Sequence, residues 1–434
     1  MIYVSPDGND TWSGLQHVPN ADETDGPLAT LEKARNTIRE LKRSGSLLQT
    51  EITVFIKSGT YTLPNTFLLT EQDSGTDQAP VIYRPFQQET VHLTTQSQSS
   101  SPLIETQNAD HVIFDSLIIE HIQSEGFVIQ GGNNVEIHNC HIHHIGGRAI
   151  RMSGGDRQTL TRCNHTITNN HIHNISETSS EPSIQMSGVG ITVTNNHIHN
   201  CSDKAIHLSG NEHTIAYNNI HNMCLNAENT GAVYMAGDWT ERGIRIQHNF
   251  FHDLNATAIC LDDCASGSVI IGNIFARCTC AVLIGGGRNH RIENNIFSHN
   301  TCAIEIDGRG CDEDPKWRNL IYKTMKARFE TMQPLESPYK ERYPELRELA
   351  IYYQDEIGIP PEGNLIVRNI CHNSKWLHTH WHANLKAIAI QNNVTQEDPL
   401  FTDPANDDYT LAEESPAYEL GFKPIPTDKI GCEQ

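Results

Sequence analysis

Asn196-His197-Ile198-His199-Asn200, Asn249-Phe250-Phe251-His252-Asp253 and Asn295-Ile296-Phe297-Ser298-His299 are one motif written three times. Aligned on its apolar centre, the motif extends into a column of Ile118, Ile142, Ile172, Ile198, Ile220, Phe251, Phe275, Phe297, Cys371 and Val394. Two positions earlier runs a companion column of Asn170, Asn196, Asn218, Asn249, Asn273, Asn295, Asn369 and Asn392. A repeat of this kind marks a solenoid, with loops spliced between similar turns. A leucine-rich repeat would show several leucines per unit. Here the apolar residues sit in short alternating strings such as Ile244-Arg245-Ile246, so each unit is built of β-strands. Parallel stacking of such strands makes a β-helix that rises about 4.8 Å per coil. Asparagines repeated at one turn fit it, because Asn tolerates left-handed geometry and its amide can bond the next coil.

A second string recurs once per coil: Ala149-Ile150-Arg151-Met152-Ser153, Ala205-Ile206-His207-Leu208-Ser209 and Ala232-Val233-Tyr234-Met235-Ala236. It continues as Ala258-Ile259-Cys260-Leu261-Asp262, Ala281-Val282-Leu283-Ile284-Gly285 and Ala303-Ile304-Glu305-Ile306-Asp307. Its second and fourth residues point inward, so its third and fifth face outward. The ends differ. Residues 30–44 predict an amphipathic helix capped by Thr30, and 51–56 and 80–84 predict early strands. Stretches 315–332 and 340–356 predict helices, ended by Pro360-Pro361. The expected organisation is a cap with first coils over 1–105, a β-helix over 106–311 and a helical insertion over 312–362 that walls a cleft. Last coils over 363–397 and an irregular tail over 398–434, packed along the outside, complete it.

The chain's 434 residues carry 31 Lys and Arg against 53 Asp and Glu, a net charge of −22. So acidic a surface excludes nucleic acid and anionic membrane as partners. No stretch approaches the roughly 18 apolar residues of a membrane span. Oligomeric state leaves no signature here. The chain enters strand-like Met1-Ile2-Tyr3-Val4-Ser5 at once, so the expectation is a cytoplasmic protein, or a secreted or periplasmic one whose leader has been removed. Twelve cysteines without paired CxxC motifs suit buried free thiols, with Cys302 stacking beside Cys278 or Cys280.

Most outward fifth positions are bland, but Asp262 and Asp307 stand two coils apart with Gly285 between them as an open notch. Asp263 follows one carboxylate and Glu305 precedes the other. Paired carboxylates across a gap are what glycoside hydrolysis uses, one as acid and one as base or nucleophile. Tyr234, Asp238, Trp239, Arg288, Asn289, Arg309 and Trp317 surround the notch as candidate sugar-binding residues, because aromatic rings stack on sugars and Arg or Asn bonds their polar groups. Outward Asp in a coil is also a turn former; its concentration with Arg, Trp and Gly lifts this pair. His143, His173, His199, His221 and His252 form an outward ladder on five coils, more simply a stacked surface row than a metal site.

Tyr3-Val4-Ser5-Pro6-Asp7-Gly8-Asn9-Asp10 with Gly26-Pro27-Leu28-Ala29-Thr30-Leu31 resembles the opening of pectate-lyase-like, right-handed parallel β-helix enzymes. Gly231-Ala232-Val233-Tyr234, Asp238-Trp239-Thr240, Leu261-Asp262-Asp263, Gly286-Gly287-Arg288-Asn289 and Asp307-Gly308-Arg309-Gly310 are similar to glycoside hydrolase family 141. So are Asp398-Pro399-Leu400-Phe401, Ser415-Pro416-Ala417-Tyr418 and Gly421-Phe422-Lys423-Pro424-Ile425-Pro426. The resemblance implies an all-β fold, activity on cell-wall glycans such as α-L-fucosides or xylan, no cofactor, and a catalytic pair formed by Asp262 or Asp263 with Asp307. Two alternatives stand beside it. In a polysaccharide lyase or uronate epimerase, Asp262, Asp263, Asp307 and Glu305 would hold Ca²⁺ while Arg309, Arg288 or Lys316 abstracts a proton. In a non-catalytic carbohydrate-binding β-helix, the same residues would only hold glycan.

Overall fold

The computed structural model describes residues 1–44, 51–96, 100–176, 179–225 and 230–433. Short strands from each coil stack in parallel register into three long faces. One is a thirteen-stranded sheet running from Ile2–Val4 through Ile52–Ile56, Thr192–Thr194 and Val269–Ile271 to Ala389–Gln391. The other two are joined into a twenty-stranded sheet, because Phe250–Asp262 and Ile274–Gly285 run unbroken from one face to the next. We call these two the histidine face, which carries His141–Ile145 and His171–Ile175, and the site face, which carries Ile150–Gly154 and Cys302–Asp307. The chain is a parallel β-helix.

Alternation places one side chain in two inside, and the inward positions form ladders of like residues. Ile142, Ile172, Ile198 and Ile220 stack in register, followed by Phe251, Phe275 and Phe297. The Phe rings lie 5.2 Å apart and nearly parallel. The ends of this column depart from the expected alignment: Ile119, not Ile118, pairs with Ile142, and Val394 bridges Ile370 rather than Cys371.

The asparagine ladder runs from Asn170 to Asn369 as expected, then to Asn393 instead of Asn392. Each amide oxygen accepts from the backbone N–H of the ladder residue one coil earlier, as Asn218 Oδ1 does from Asn196 at 2.9 Å. The residue before each ladder position holds the left-handed turn, for example Asn169 (φ 57°), Asn195 (φ 55°) and Asn392 (φ 56°). The two properties that favour Asn here are thus divided between neighbours. Since both 392 and 393 are Asn, composition did not separate the turn former from the rung.

Three additions dress the coils. The helix Leu31–Arg43, its Thr30 hydroxyl accepting from the Lys33 N–H, buries Leu31, Ala34 and Ile38 in the main core. The insertion forms Pro315–Asn319, a wide π-turn over Leu320–Met325, Lys326–Met332, Tyr339–Arg342 and Arg347–Asp355. Ile321, Met325, Phe329, Tyr353 and their neighbours close its own core over Trp239 and Cys264. The tail is more regular than expected: Phe401–Asp403 pairs antiparallel with Asp408–Leu411, and Pro416–Glu419 is helical. It buries Tyr409, Leu411, Ala417 and Phe422 against Ile274, Ile296 and Ile370 of the histidine face. Cys280 and Cys302 are free thiols adjacent in register. No helix of the described residues is long and apolar enough to cross a membrane.

Candidate active site

On the site face Ile150, Ile184, Ile206, Val233, Ile259, Val282, Ile304 and Leu377 stack inward in register. The coil carrying Ile184-Gln185-Met186-Ser187 belongs to this column, although its preceding serine hides it from an alanine-led pattern. Pairing between Ile206–Asn211 and Gly231–Ala236 stops after Ile206↔Val233 and His207↔Tyr234. Where it stops, a cleft of about 550 Å³ opens between Ser209 and Ala236 on the coil side and Arg328 and Met332 of the insertion. The insertion therefore walls a cleft, as expected.

At one end of this cleft Arg157 bonds the Asp238 carboxylate at 3.3 Å and lies 3.4 Å from Glu241. Asp238 also accepts from the Thr240 N–H and hydroxyl, at 2.8 and 2.7 Å. Glu241 is buried, and burial together with the neighbouring Asp238 charge pushes its carboxyl up to about 8. Arg157, His207 and Glu241 were not picked from the sequence. Arg157 lies on a loop between strands, outside the repeating columns, and the burial of Glu241 is set by the insertion, so neither left a local signal.

One coil beyond Ala236 stands Asp262, its register partner. Its carboxylate accepts from the Tyr234 hydroxyl at 3.0 Å and from the Arg309 guanidinium. Arg309 also donates to Asp263 at 3.3 Å and grips Asp307 through Nε at 3.0 Å and Nη2 at 2.6 Å. The expected open notch is filled. A Cβ on Gly285 would lie 2.7 Å from Arg309 Cζ, so glycine at 285 makes room for the guanidinium rather than for a sugar. Asp307 is correspondingly buried, with 6% of its side chain exposed, against 21% for Asp262 and 34% for Asp263.

Asp263 and Cys264 both adopt left-handed backbone, φ 44° and 64°. This tight turn ends the strand and leaves both Asp262 and Asp263 within bonding distance of one Arg309 nitrogen. Burial and the adjacent Asp262 charge raise the Asp263 carboxyl above its ordinary value. The Arg309 guanidinium lies 4.7 Å from the Trp317 ring centre and 5.7 Å from that of Trp381. Trp381 was missed because it follows the alternating string Lys375–His380 and reads as its continuation. Glu305 faces His380 at 3.0 Å on the next coil.

Three expected sugar-binding residues are structural. Trp239 is fully buried under the insertion and donates to the Tyr353 hydroxyl at 2.8 Å. Arg288, also buried, donates to the Pro360 carbonyl at 2.7 Å and to Glu348 at 3.0 Å, and lies over the Tyr352 ring. Asn289 accepts from Arg242 at 3.1 Å. Trp239 and Arg288 anchor the insertion to the coils, and Asn289 reaches it through Arg242, which bonds Glu345 at 2.9 Å; the task calls for the same planar side chains as sugar recognition.

A family model described as "Right handed beta helix region" matches residues 102–181 and 182–313. The fold is a right-handed parallel β-helix. A solved structure described as "Glycoside hydrolase" is similar at a TM-score of 0.53 and 9% identity, over 95% of this chain and 99% of that one. Another, described as "The complex structure of XylC with xylose", has a TM-score of 0.49 at 11% identity, over 92% and 87% of the two chains. A "Rhamnogalacturonan lyase" has 0.45 at 13%, over 99% of each. At these identities the likeness is one of fold. No curated protein sequence matches the chain.

Proposed function

We propose that the protein is a glycoside hydrolase of the family 141 type, acting on a cell-wall poly- or oligosaccharide, with α-L-fucosides and xylan as the first substrates to try. The observation that carries the reading is the unequal carboxyl pair one coil beyond the cleft. Asp263, raised by burial and by its neighbour's charge, serves as the acid that protonates the leaving oxygen. Asp262, already accepting from Tyr234 and Arg309, serves as the partner carboxylate facing the sugar. Asp307 is then a positioning residue that holds Arg309 in its notch. Trp317 and Trp381 offer ring faces beside it for a sugar to stack on.

The calcium-dependent alternative fits these residues less well. The oxygens of Asp262, Asp263 and Asp307 that would ligate Ca²⁺ converge instead on the resident guanidinium. Arg309 is also a poor base, because its carboxylate partners drive its pKa still higher. Arg288 is buried away from the cleft. The test is digestion of neutral and acidic glycans, following reducing ends together with the ultraviolet absorbance of an unsaturated uronate. Reducing ends without absorbance, abolished in Asp263→Asn and Asp262→Asn, support the reading. Absorbance that disappears with a chelator replaces it with the lyase. A glycan that binds without turnover, equally well in both variants, replaces it with a binding protein.

A further inference from the structure

The histidine face carries a double row. His141, His171 and His197 are in register on successive coils, and His143, His173, His199 and His221 form a second column two residues along. Within a column the rings stack: His141 on His171 at 4.8 Å, His173 on His199 at 5.1 Å. Between columns the Nε2 atoms meet directly, His141 with His173 at 2.8 Å, His171 with His199 at 2.8 Å and His197 with His221 at 2.9 Å.

Carboxylates touch this array at its ends, Glu120 beside His143 and Asp253 beside His252. Further along the same face the column of His141 continues as Phe250, Ile274, Ile296 and Ile370, and there the C-terminal tail covers it. The chain thus places apolar residues where the face is covered and imidazoles where it stays partly exposed.

We propose that the double row binds one divalent transition-metal ion of the zinc type, held by His171 together with either His141 and His173 or His197 and His199. In each trio the ligand nitrogens lie within 4.8 Å of one another. Imidazole is the ligand that Zn²⁺, Ni²⁺ and Cu²⁺ share. A tetrahedral zinc with bonds of about 2.0–2.1 Å sets its nitrogens roughly 3.3 Å apart, so a facing pair need open by only about half an ångström to admit it. Water completes the coordination. Because the three ligands come from two adjacent coils, the ion staples the strands His141–Ile145 and His171–Ile175, or His171–Ile175 and His197–His199.

The test is calorimetric titration of the full-length chain with Zn²⁺ at neutral pH, with the visible spectrum of the Co²⁺ form as a second readout. One ion per chain is expected, with the intense cobalt bands of a tetrahedral nitrogen site. His171→Gln, which breaks both trios, weakens binding at least about tenfold. His173→Gln and His199→Gln each leave one trio whole and bind within a few-fold of the native chain. The double variant H173Q/H199Q, which also breaks both trios, matches His171→Gln and replaces it if that variant fails to fold. No zinc binding by the native chain overturns the proposal. So does binding that survives in H173Q/H199Q but is lost in His378→Gln, which would put the ion on the Glu305, His378 and His380 cluster.

Discussion

Arg309→Met removes the cation on which three carboxylates converge, at a cost the structure lets one work out. Its guanidinium is 9% exposed and its chief partner, Asp307, 6%. Breaking a buried pair by deleting one member costs about 3–5 kcal/mol, because the other charge stays behind in a poor solvent. Asp262 and Asp263 are wetter, so each adds at most about 1 kcal/mol. At about 2.1 cal/mol/K per residue the unfolding entropy of 434 residues is about 0.9 kcal/mol/K, so the melting temperature at pH 7 falls by about 3–8 °C. Scanning calorimetry at pH 7 reads the effect. Arg309→Lys restores part of the stability and none of the activity, since an ammonium cannot reproduce the forked contacts. A gap under 1 °C refutes the view that Arg309 and Asp307 form a pair buried by the fold.

Three further outcomes follow from named contacts. Gly285→Ala forces a Cβ within 2.7 Å of Arg309 Cζ, so glycan cleavage falls at least about tenfold while the melting temperature drops less than in Arg309→Met; unchanged turnover contradicts the packing. Asn218→Leu orphans the Asn196 N–H and the Val193 carbonyl in the interior, costing about 2–6 kcal/mol in a urea titration, since each stranded group costs about 1–3 kcal/mol. Glu241 keeps its proton in the fold up to about 8 but loses it near 4.3 when unfolded, so the native chain binds more protons between those values and loses stability as pH rises through them. Glu241→Gln removes that slope in thermal melts from pH 5 to 8.5, while the acid limb persists. The acid limb belongs to the histidines that burial lowers, among them His165, His213 and His290 to about 4, which must be protonated as the chain unfolds below pH 6.5.

The coils were legible because their constraint is periodic. An inward isoleucine or phenylalanine meets the same neighbour on every turn, so one residue type recurs and the column can be read by eye. Asp262 and Asp307 were found the same way, as departures from a bland outward column. What surrounds them was not legible. Whether Gly285 admits a sugar or a guanidinium depends on the path of Arg309 after the strand ends, a turn that no periodicity records. Trp239 and Arg288 carry the composition of a binding site, yet their partners Tyr353 and Glu348 lie more than fifty residues away on the insertion.

The two outward faces show why a β-helix separates architecture from chemistry. Each coil must satisfy its inward positions, but its outward ones answer only to what lies over them. Over the site face lies the insertion, and there the column changes from Ser209 and Ala236 to Asp262 and Asp307. Over the far half of the histidine face lies the tail, and there the column becomes isoleucine. The remaining stretch is bordered by the chain's last residues, where the Cys432 thiol bonds the Asn170 carbonyl at 3.4 Å, and it is there that seven histidines, 141 and 143, 171 and 173, 197 and 199, and 221, face one another. Along each column the rings stack, so the repeat has a packing reason of its own; what stacking does not call for is the direct meeting of Nε2 atoms between the columns, and that is where a metal would act.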